Sequence, residues 1–352
     1  MNIMAISGIN YYKDSVAFGS NNPRVLITGA TGYIGNHLSQ VLAKDGYDLV
    51  VCGKNPQKLK LLEELLGQIN SNQSNKNSHH FVNIELTDQQ QMSALLRGHN
   101  DVEAVIHLAG INSNGKSIVN PSETYSVNLA GTLNLLNSMQ ENDVTKLLFI
   151  STGNVYGQAK NIDKLNETII PNPETPYAKS KLMIEQLIQA YKSLGLQSTI
   201  LRLFNVAGAG SSEDLTMGAN VIAIIMNRLK NGIEFVLNGN KHNTPDGTTI
   251  RDYLHVDDAC NAMKVCLNKL LHTEDSSLYN VGSGCGTSLQ KIIDLSEQIS
   301  GKKAIISINP NPQPEPPVLI VDNSKIIQET GWRPQHDIKS IISSAWEWCI
   351  NH

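Results

Sequence analysis

RVLITGATGYIG, residues 24–35, is the stretch on which the fold turns. A short apolar run ends in three glycines spaced G-x-x-G-x-x-G, Gly29, Gly32 and Gly35. An amphipathic segment, GNHLSQVLAKDG, and a second apolar run, YDLVVCG from residue 47, follow. A glycine trio alone marks many turns. Between a strand and a helix, however, it permits a tight turn, lets a pyrophosphate approach the backbone, and seats that anion on the positive end of the helix dipole. The stretch therefore reads as a dinucleotide loop, with Gly29, Gly32, Tyr33, Ile34 and Gly35 as cofactor-binding candidates.

The same rhythm continues outward. Apolar runs HFVNIEL from 80, VEAVIHLAG from 102, KLLFIST from 146 and STILRLFN from 198 alternate with helical patterns such as PQKLKLLEELLG, DQQQMSALLRG and VNLAGTLNLLNSMQ. Strands apolar on both faces and separated by helices imply an α/β fold with a doubly wound parallel sheet, Rossmann-type, covered on both sides. After residue 205 glycine and proline cluster in AGAGSSED, NTPDGTT and NPNPQPEPP, as in a smaller mixed carboxyl-terminal lobe. The expected organisation is an amino-terminal extension over 1–22, a dinucleotide-binding domain over 23–204, and a mainly substrate-binding lobe over 205–352. Some segments of the last would return to the first domain. NSNQSNKNSHH, 70–80, reads as a solvated loop, with His79 and His80 in it.

Composition narrows the function class. The chain has 352 residues, 40% apolar and 17% charged, and lacks an apolar run of the roughly 18 residues that a membrane helix needs. A net charge of −4 without a long basic run argues against a nucleic-acid partner. Five cysteines, odd in number and without metal-type spacing, suit reduced thiols in a cytoplasm, and the first 22 residues have no apolar core like that of a secretory signal. No spacing of His, Cys and carboxylates suggests a metal. His107 and His255 read as core or supporting histidines.

At the end of the second strand an acidic residue normally holds the adenosine ribose of NAD. Here Gly53 stands in that place, followed by Lys54, Asn55 and, a turn later, Lys58. A lysine would offset the 2′-phosphate of NADP; solvated lysines at a helix start are the equal alternative. The cofactor is therefore expected to be NAD or NADP, with a slight lean toward NADP.

TPYAKSKLMIEQ, 175–186, puts Tyr177 and Lys181 on one helical face, four residues apart, with Pro176 suited to the first turn. Taken alone the pair is more often structural. FISTGNVYG, 149–157, ends the preceding strand and brings Thr152 to the sheet's carboxyl edge, where ligands bind in such folds. With VIHLAG, NLAGTLNLL, LRLFNVAG, DGTTIRDYLHVDD and YNVGSG in order, the chain resembles the extended short-chain dehydrogenase/reductase family, and most closely its UDP-glucose 4-epimerases.

The resemblance implies that Tyr177 is the acid/base. Lys181 would favour its phenolate and hold the nicotinamide ribose, and Thr152 would share a hydrogen bond with the reacting hydroxyl. It implies cofactor contacts at Glu85, Leu86, Leu108, Ala109, Gly110 and Asn128, and substrate contacts at Asn205, Asn220, Arg251 and Glu315. The implied reaction is the redox-neutral inversion of a nucleotide sugar at C4 through a 4-keto sugar. In the family, 4,6-dehydratases carry an Asp-Glu pair directly after the threonine; here Gly153 and Asn154 stand there, and neither transfers a proton. Two departures remove positive charge from the phosphate site. Pro312 replaces an arginine, leaving Glu315 for the ribose, and Asn112 replaces a lysine. A net reductase would use the same residues with an exchanging cofactor, and a non-catalytic dinucleotide sensor would not need the Tyr/Lys pair. A homodimer through the helices at 119–142 and 177–194 is the family's habit and the expectation here.

Overall fold

Alternate residues of the first strand go to opposite cores. Val25 and Ile27 join one apolar cluster and Leu26 another, all three fully buried. That is the period-2 signature of a strand covered on both faces. The computed structural model describes residues 22–71, 77–158, 163–210, 216–218, 220–312 and 315–352. The expected extension lies outside these apart from Asn22, as do residues 72–76 of the expected loop and 211–214 of AGAGSSED.

The elements run β1 (Arg24–Thr28), α1 (Tyr33–Lys44), β2 (Asp48–Gly53), α2 (Pro56–Ser71), β3 (His79–Asn83), α3 (Gln89–Gly98) and β4 (Val102–His107). Next come α4 (Asn114–Val119), α5 (Pro121–Tyr125), α6 (Gly131–Glu141), β5 (Lys146–Thr152), α7 (Pro176–Tyr191) and β6 (Gln197–Leu203). Then follow β7 (Asn205–Ala207), α8 (Val221–Asn231), β8 (Phe235–Leu237), β9 (Ile250–His255), α9 (Val256–His272) and β10 (Ser277–Val281). The remainder is β11 (Gly286–Ser288), α10 (Leu289–Ser300), β12 (Ile306–Ile308), β13 (Val318–Leu319), α11 (Ser324–Thr330) and α12 (Ile338–Asn351). His79 and His80 open β3 rather than lying in a loop.

Seven strands form one sheet in the order β10-β6-β5-β4-β1-β2-β3, with every pairing parallel. Strand order reverses at β1, between β2 and β4. That reversal opens a crevice at the carboxyl edge, the place where such sheets bind ligands. On one face α1 and α9 pack Leu38, Leu42, Ala259 and Met263 against the sheet; on the other α3, α6 and α7 supply Met92, Leu135 and Ile184. Each fully buried leucine there is worth about 2–5 kcal/mol against alanine.

A smaller sheet joins β11, β9 and β13, with β7 paired to β9, and β8 pairs with β12. Their apolar faces, with α8, α10 and α12, form a third cluster around Ile225, Met226, Ile292 and Ile342. The pattern VNLAGTLNLLNSMQ is not one straight helix: residues 126–130 form a π-helical turn between α5 and α6. Such an inserted residue rotates side chains relative to the α-helical face, and here it falls around Asn128, whose contacts the next section gives.

Candidate active site

Gly29 takes φ +73°, a left-handed backbone, and an added Cβ would lie 2.7 Å from the Ala109 amide nitrogen. At Gly35 a Cβ would lie 2.3 Å from the Gly29 carbonyl oxygen. Only glycine fits at either position. Gly32 caps α1 without a side-chain hydrogen bond, so the first N–H groups of that helix stay directed at the loop. A backbone cradle of this kind fits a dinucleotide pyrophosphate. Tyr33 donates its hydroxyl to the Gly208 carbonyl at 2.5 Å, which ties the loop to the segment after β7.

A cleft of about 990 Å³ runs from this cradle along the sheet edge. The sequence-derived cofactor candidates Gly29, Gly32, Tyr33, Ile34, Gly35, Lys54, Asn55, Glu85, Leu86, Leu108, Ala109 and Gly110 line it, as do Thr152, Tyr177, Lys181, Asn205, Asn220, Arg251 and Glu315. Asn128 does not. It is buried, with Oδ1 accepting from the Ile111 amide at 2.7 Å and Nδ2 donating to Ile111 O and Ser180 Oγ, both at 3.0 Å. Its part is to hold the loop after β4 against α7, because the π turn aims its amide at that loop and not at the cleft.

The centre of the cleft is built by β5 and α7. Thr175 caps α7 by accepting from the Ala178 amide, and Pro176 occupies the first turn, which fixes where the helix starts. Tyr177 and Lys181 therefore face the end of β5, both nearly buried. Thr152 stands beside the Tyr177 hydroxyl as the hydrogen-bonding side chain that lowers its pKa. The Lys181 ammonium donates to the Ile150 carbonyl at 2.8 Å and lies 4.7 Å from the centre of the Phe149 ring. One turn further, Glu185 accepts from Ser151 Oγ at 2.5 Å and pairs with Arg202 at 2.6 Å, which locks α7 onto β5 and β6.

Burial lowers the Lys181 pKa from 10.5 to about 8, with Glu185 partly opposing. Burial also raises the Tyr177 pKa, and the Thr152 hydrogen bond offsets only part of that rise. The expected pull of the phenol toward neutrality belongs to Lys181 together with the oxidised nicotinamide; in the protein alone desolvation is the larger effect. Behind the centre, His107 is fully enclosed and its pKa falls to about 3. The Thr132 hydroxyl spends its proton on the Asn128 carbonyl at 2.5 Å. His107 Nε2 must then carry the proton that meets Thr132 Oγ1 at 2.9 Å, and Nδ1 accepts from Thr28 Oγ1 at 2.7 Å.

At the far end Arg251 pairs with Glu315 at 2.8 Å rather than with its neighbour Asp252. Asp252 is buried and accepts the amides of Ser283 and Gly284 at 2.7 and 2.9 Å; burial raises its pKa to about 6. Asn205 donates to Asp252 O, and Asn220 caps α8 by accepting from the Ala223 amide, so each offers the cleft a partly committed amide. Sequence reasoning missed Phe204, Thr31 and Asn238, which also line the cleft. Phe204 lies within 3.0 Å of where a Cβ on Gly153 would be, so a side chain at 153 would collide with its ring. Thr31 fills the space of a Cβ on Gly53 in the same way, its hydroxyl 2.6 Å from that position. Only its place inside the glycine loop could have marked it.

Distant residues also converge where no sequence spacing pointed. His255, Asp257 and His336 bring their donor atoms within 4.8 Å of one another. The two imidazoles stack at 4.2 Å with 21° between planes, and the Asp257 amide donates to His255 Nδ1 at 3.1 Å. His37 also lies 2.5 Å from Asp257, so the cluster joins α1, the start of α9 and the segment before α12.

A dinucleotide cradle at the switch point of a doubly wound sheet, with Thr152, Tyr177 and Lys181 at its carboxyl edge, defines an enzyme of the short-chain dehydrogenase/reductase type. The chain belongs to the NAD dependent epimerase/dehydratase family, whose pattern it matches over residues 25–282. It is 32% identical over 332 residues to a UDP-glucose 4-epimerase of Streptococcus mutans, covering 92% of this chain and 96% of that one. Among solved structures it is similar to UDP-glucose 4-epimerase of Stenotrophomonas maltophila, with bound NAD and formylated UDP-arabinopyranose: TM-score 0.85, 29% identity, 94% of this chain and 98% of the other. It is also similar to that of Bifidobacterium longum in complex with NAD+ and UDP, with TM-score 0.82, 27% identity and coverage of 92% and 97%.

Proposed function

We propose that this protein is an NAD(P)-dependent nucleotide-sugar 4-epimerase, similar in action to the UDP-glucose 4-epimerases it matches. The observation that carries the proposal is the convergence of the buried Thr152, Tyr177 and Lys181 on the same cleft as the glycine cradle. When bound, a nicotinamide cofactor would supply a hydride acceptor for the sugar C4 and a donor to the opposite face of the resulting 4-keto sugar. Tyr177 removes the 4-hydroxyl proton through its phenol oxygen and gives it back on the way out. Thr152 Oγ1 holds the reacting oxygen, and Lys181 supplies the nearby positive charge that favours phenolate once a positively charged ring shares the site. Gly153 and Asn154 offer no second proton donor, which supports epimerisation over dehydration within this family.

Relatives with solved structures hold NAD, and NAD is the cofactor proposed here. The second reading is NADP, favoured by Gly53 in place of an acid, with the Thr31 hydroxyl, Lys54 and Lys58 at the same end of the cleft. Mass spectrometry of the cofactor released from purified protein decides between them. Replacing Tyr177 with phenylalanine should lower conversion of UDP-glucose to UDP-galactose by about 10²–10⁴-fold while cofactor binding is retained. Undiminished interconversion by Tyr177→Phe, or steady net consumption of NADH or NADPH by the native enzyme, would sink the proposal.

A further inference from the structure

Six described charged residues line the cleft. Lys54, Lys58 and Glu85 stand at the end beside β2 and β3, Lys181 at the centre, and Arg251 and Glu315 at the far end. The far end, where the family resemblance implies the substrate phosphates, thus carries a balanced pair. Arg251 is also heavily committed. Its Nη1 donates to the Ile250 carbonyl at 3.0 Å and the Pro317 carbonyl at 3.5 Å, while Nη2 meets Glu315 Oε2 at 2.8 Å. The other Glu315 oxygen accepts from Asn238 Nδ2 at 3.0 Å. Pairing of β13 with β9, Leu319 opposite Arg251, keeps the two side chains on adjacent backbone. The Arg251 side chain is 13% exposed and that of Glu315 32%, so the pair is less screened than one on an open surface.

We propose that Glu315 is a built-in competitor for the phosphate-binding edge of Arg251 and sets how much negative charge the substrate end accepts. The inference rests on the epimerase reading for the identity of the ligand, a nucleoside diphosphate. A guanidinium binds carboxylate and phosphate through the same planar fork. A diphosphate therefore has to take the Nη2 edge from a carboxylate that Asn238 continues to hold nearby. That anion then repels it. With Pro312 and Asn112 adding no cation, Arg251 has no second positive group at the far end among the described residues that line the cleft.

Glu315→Gln keeps the side-chain shape and an oxygen for Asn238 but removes the charge. By calorimetry on the cofactor-loaded protein, this variant should bind UDP about tenfold more tightly than the native chain, about 1.4 kcal/mol. The gain should vanish in the Arg251→Met background, and melting curves should show all four proteins folded. Equal or weaker UDP binding by Glu315→Gln overturns the inference, and so does a gain that persists without Arg251. If neither protein binds UDP yet the native enzyme interconverts UDP-sugars, the inference fails and the epimerase reading stands. If Tyr177-dependent interconversion is also absent, both fail.

Discussion

Replacing Lys181 with methionine should stabilise the cofactor-free protein at neutral pH while ending turnover. The ammonium is 5% exposed, with one carbonyl acceptor at 2.8 Å and the Phe149 ring face as its other support. Its pKa of about 8 lies below the 10.5 of the free side chain. The unfolded chain therefore binds this proton more tightly than the folded one. Below pH 8 the lysine is charged in both states, and the fold carries the whole cost, roughly 3 kcal/mol at about 1.4 kcal/mol per pH unit between the two pKa values. As pH rises from about 8 toward 10.5 the folded lysine sheds its proton first, and the cost fades. Methionine removes the cost but leaves the Ile150 carbonyl without its donor, about 1 kcal/mol in the other direction. A net gain of about 2 kcal/mol at pH 7 remains, shrinking by pH 10. Urea unfolding at both pH values measures it, with the fully buried Trp332 as a fluorescent reporter. A methionine variant less stable at pH 7, or a difference that stays constant to pH 10, would refute this account of Lys181.

Two further expectations follow from the same centre. His107 is held neutral with a pKa of about 3, so the unfolded chain gains a proton below about 6.5 that the folded one refuses, and stability falls as pH drops through that window. His107→Gln should flatten the acid limb of a stability-versus-pH curve, and an unchanged limb would remove His107 as its cause. Asn128→Ala leaves the Ile111 amide and carbonyl and the Ser180 hydroxyl short of a partner, costing about 1–3 kcal/mol. Since residues 109–111 line the cleft, cofactor titration should show weaker binding as well, and a loss of stability with native cofactor affinity would confine Asn128 to the fold.

The doubly wound sheet was legible because its strands are apolar on both faces and its glycine loop interrupts a strand-to-helix turn, both local properties of the chain. Tyr177, Lys181 and Thr152 were legible because four-residue spacing and the end of β5 are fixed by helix and strand geometry. The bonds of Asn128 to Ile111 and Ser180 were not legible, since an α-helical periodicity drawn through 127–140 cannot show the π turn around it. Successive residues of a strand point to opposite sides, so Arg251 does not pair with its sequence neighbour Asp252, and its partner, Glu315, arrives 64 residues later from the approach to β13. The His255, Asp257 and His336 seam and the Phe204 contact with Gly153 are likewise products of tertiary packing that no spacing encodes.

The Phe204 ring also constrains what this cleft can become. Family members that dehydrate sugars place an acid at the position of Gly153, which makes a single substitution there look like a short step to a new chemistry. Here the ring already occupies the volume of the first side-chain carbon. An evolving or engineered lineage would have to turn or shrink the side chain at 204 as residue 153 gained a carboxylate. The path between the two reactions is thus constrained by sterics as much as by proton chemistry.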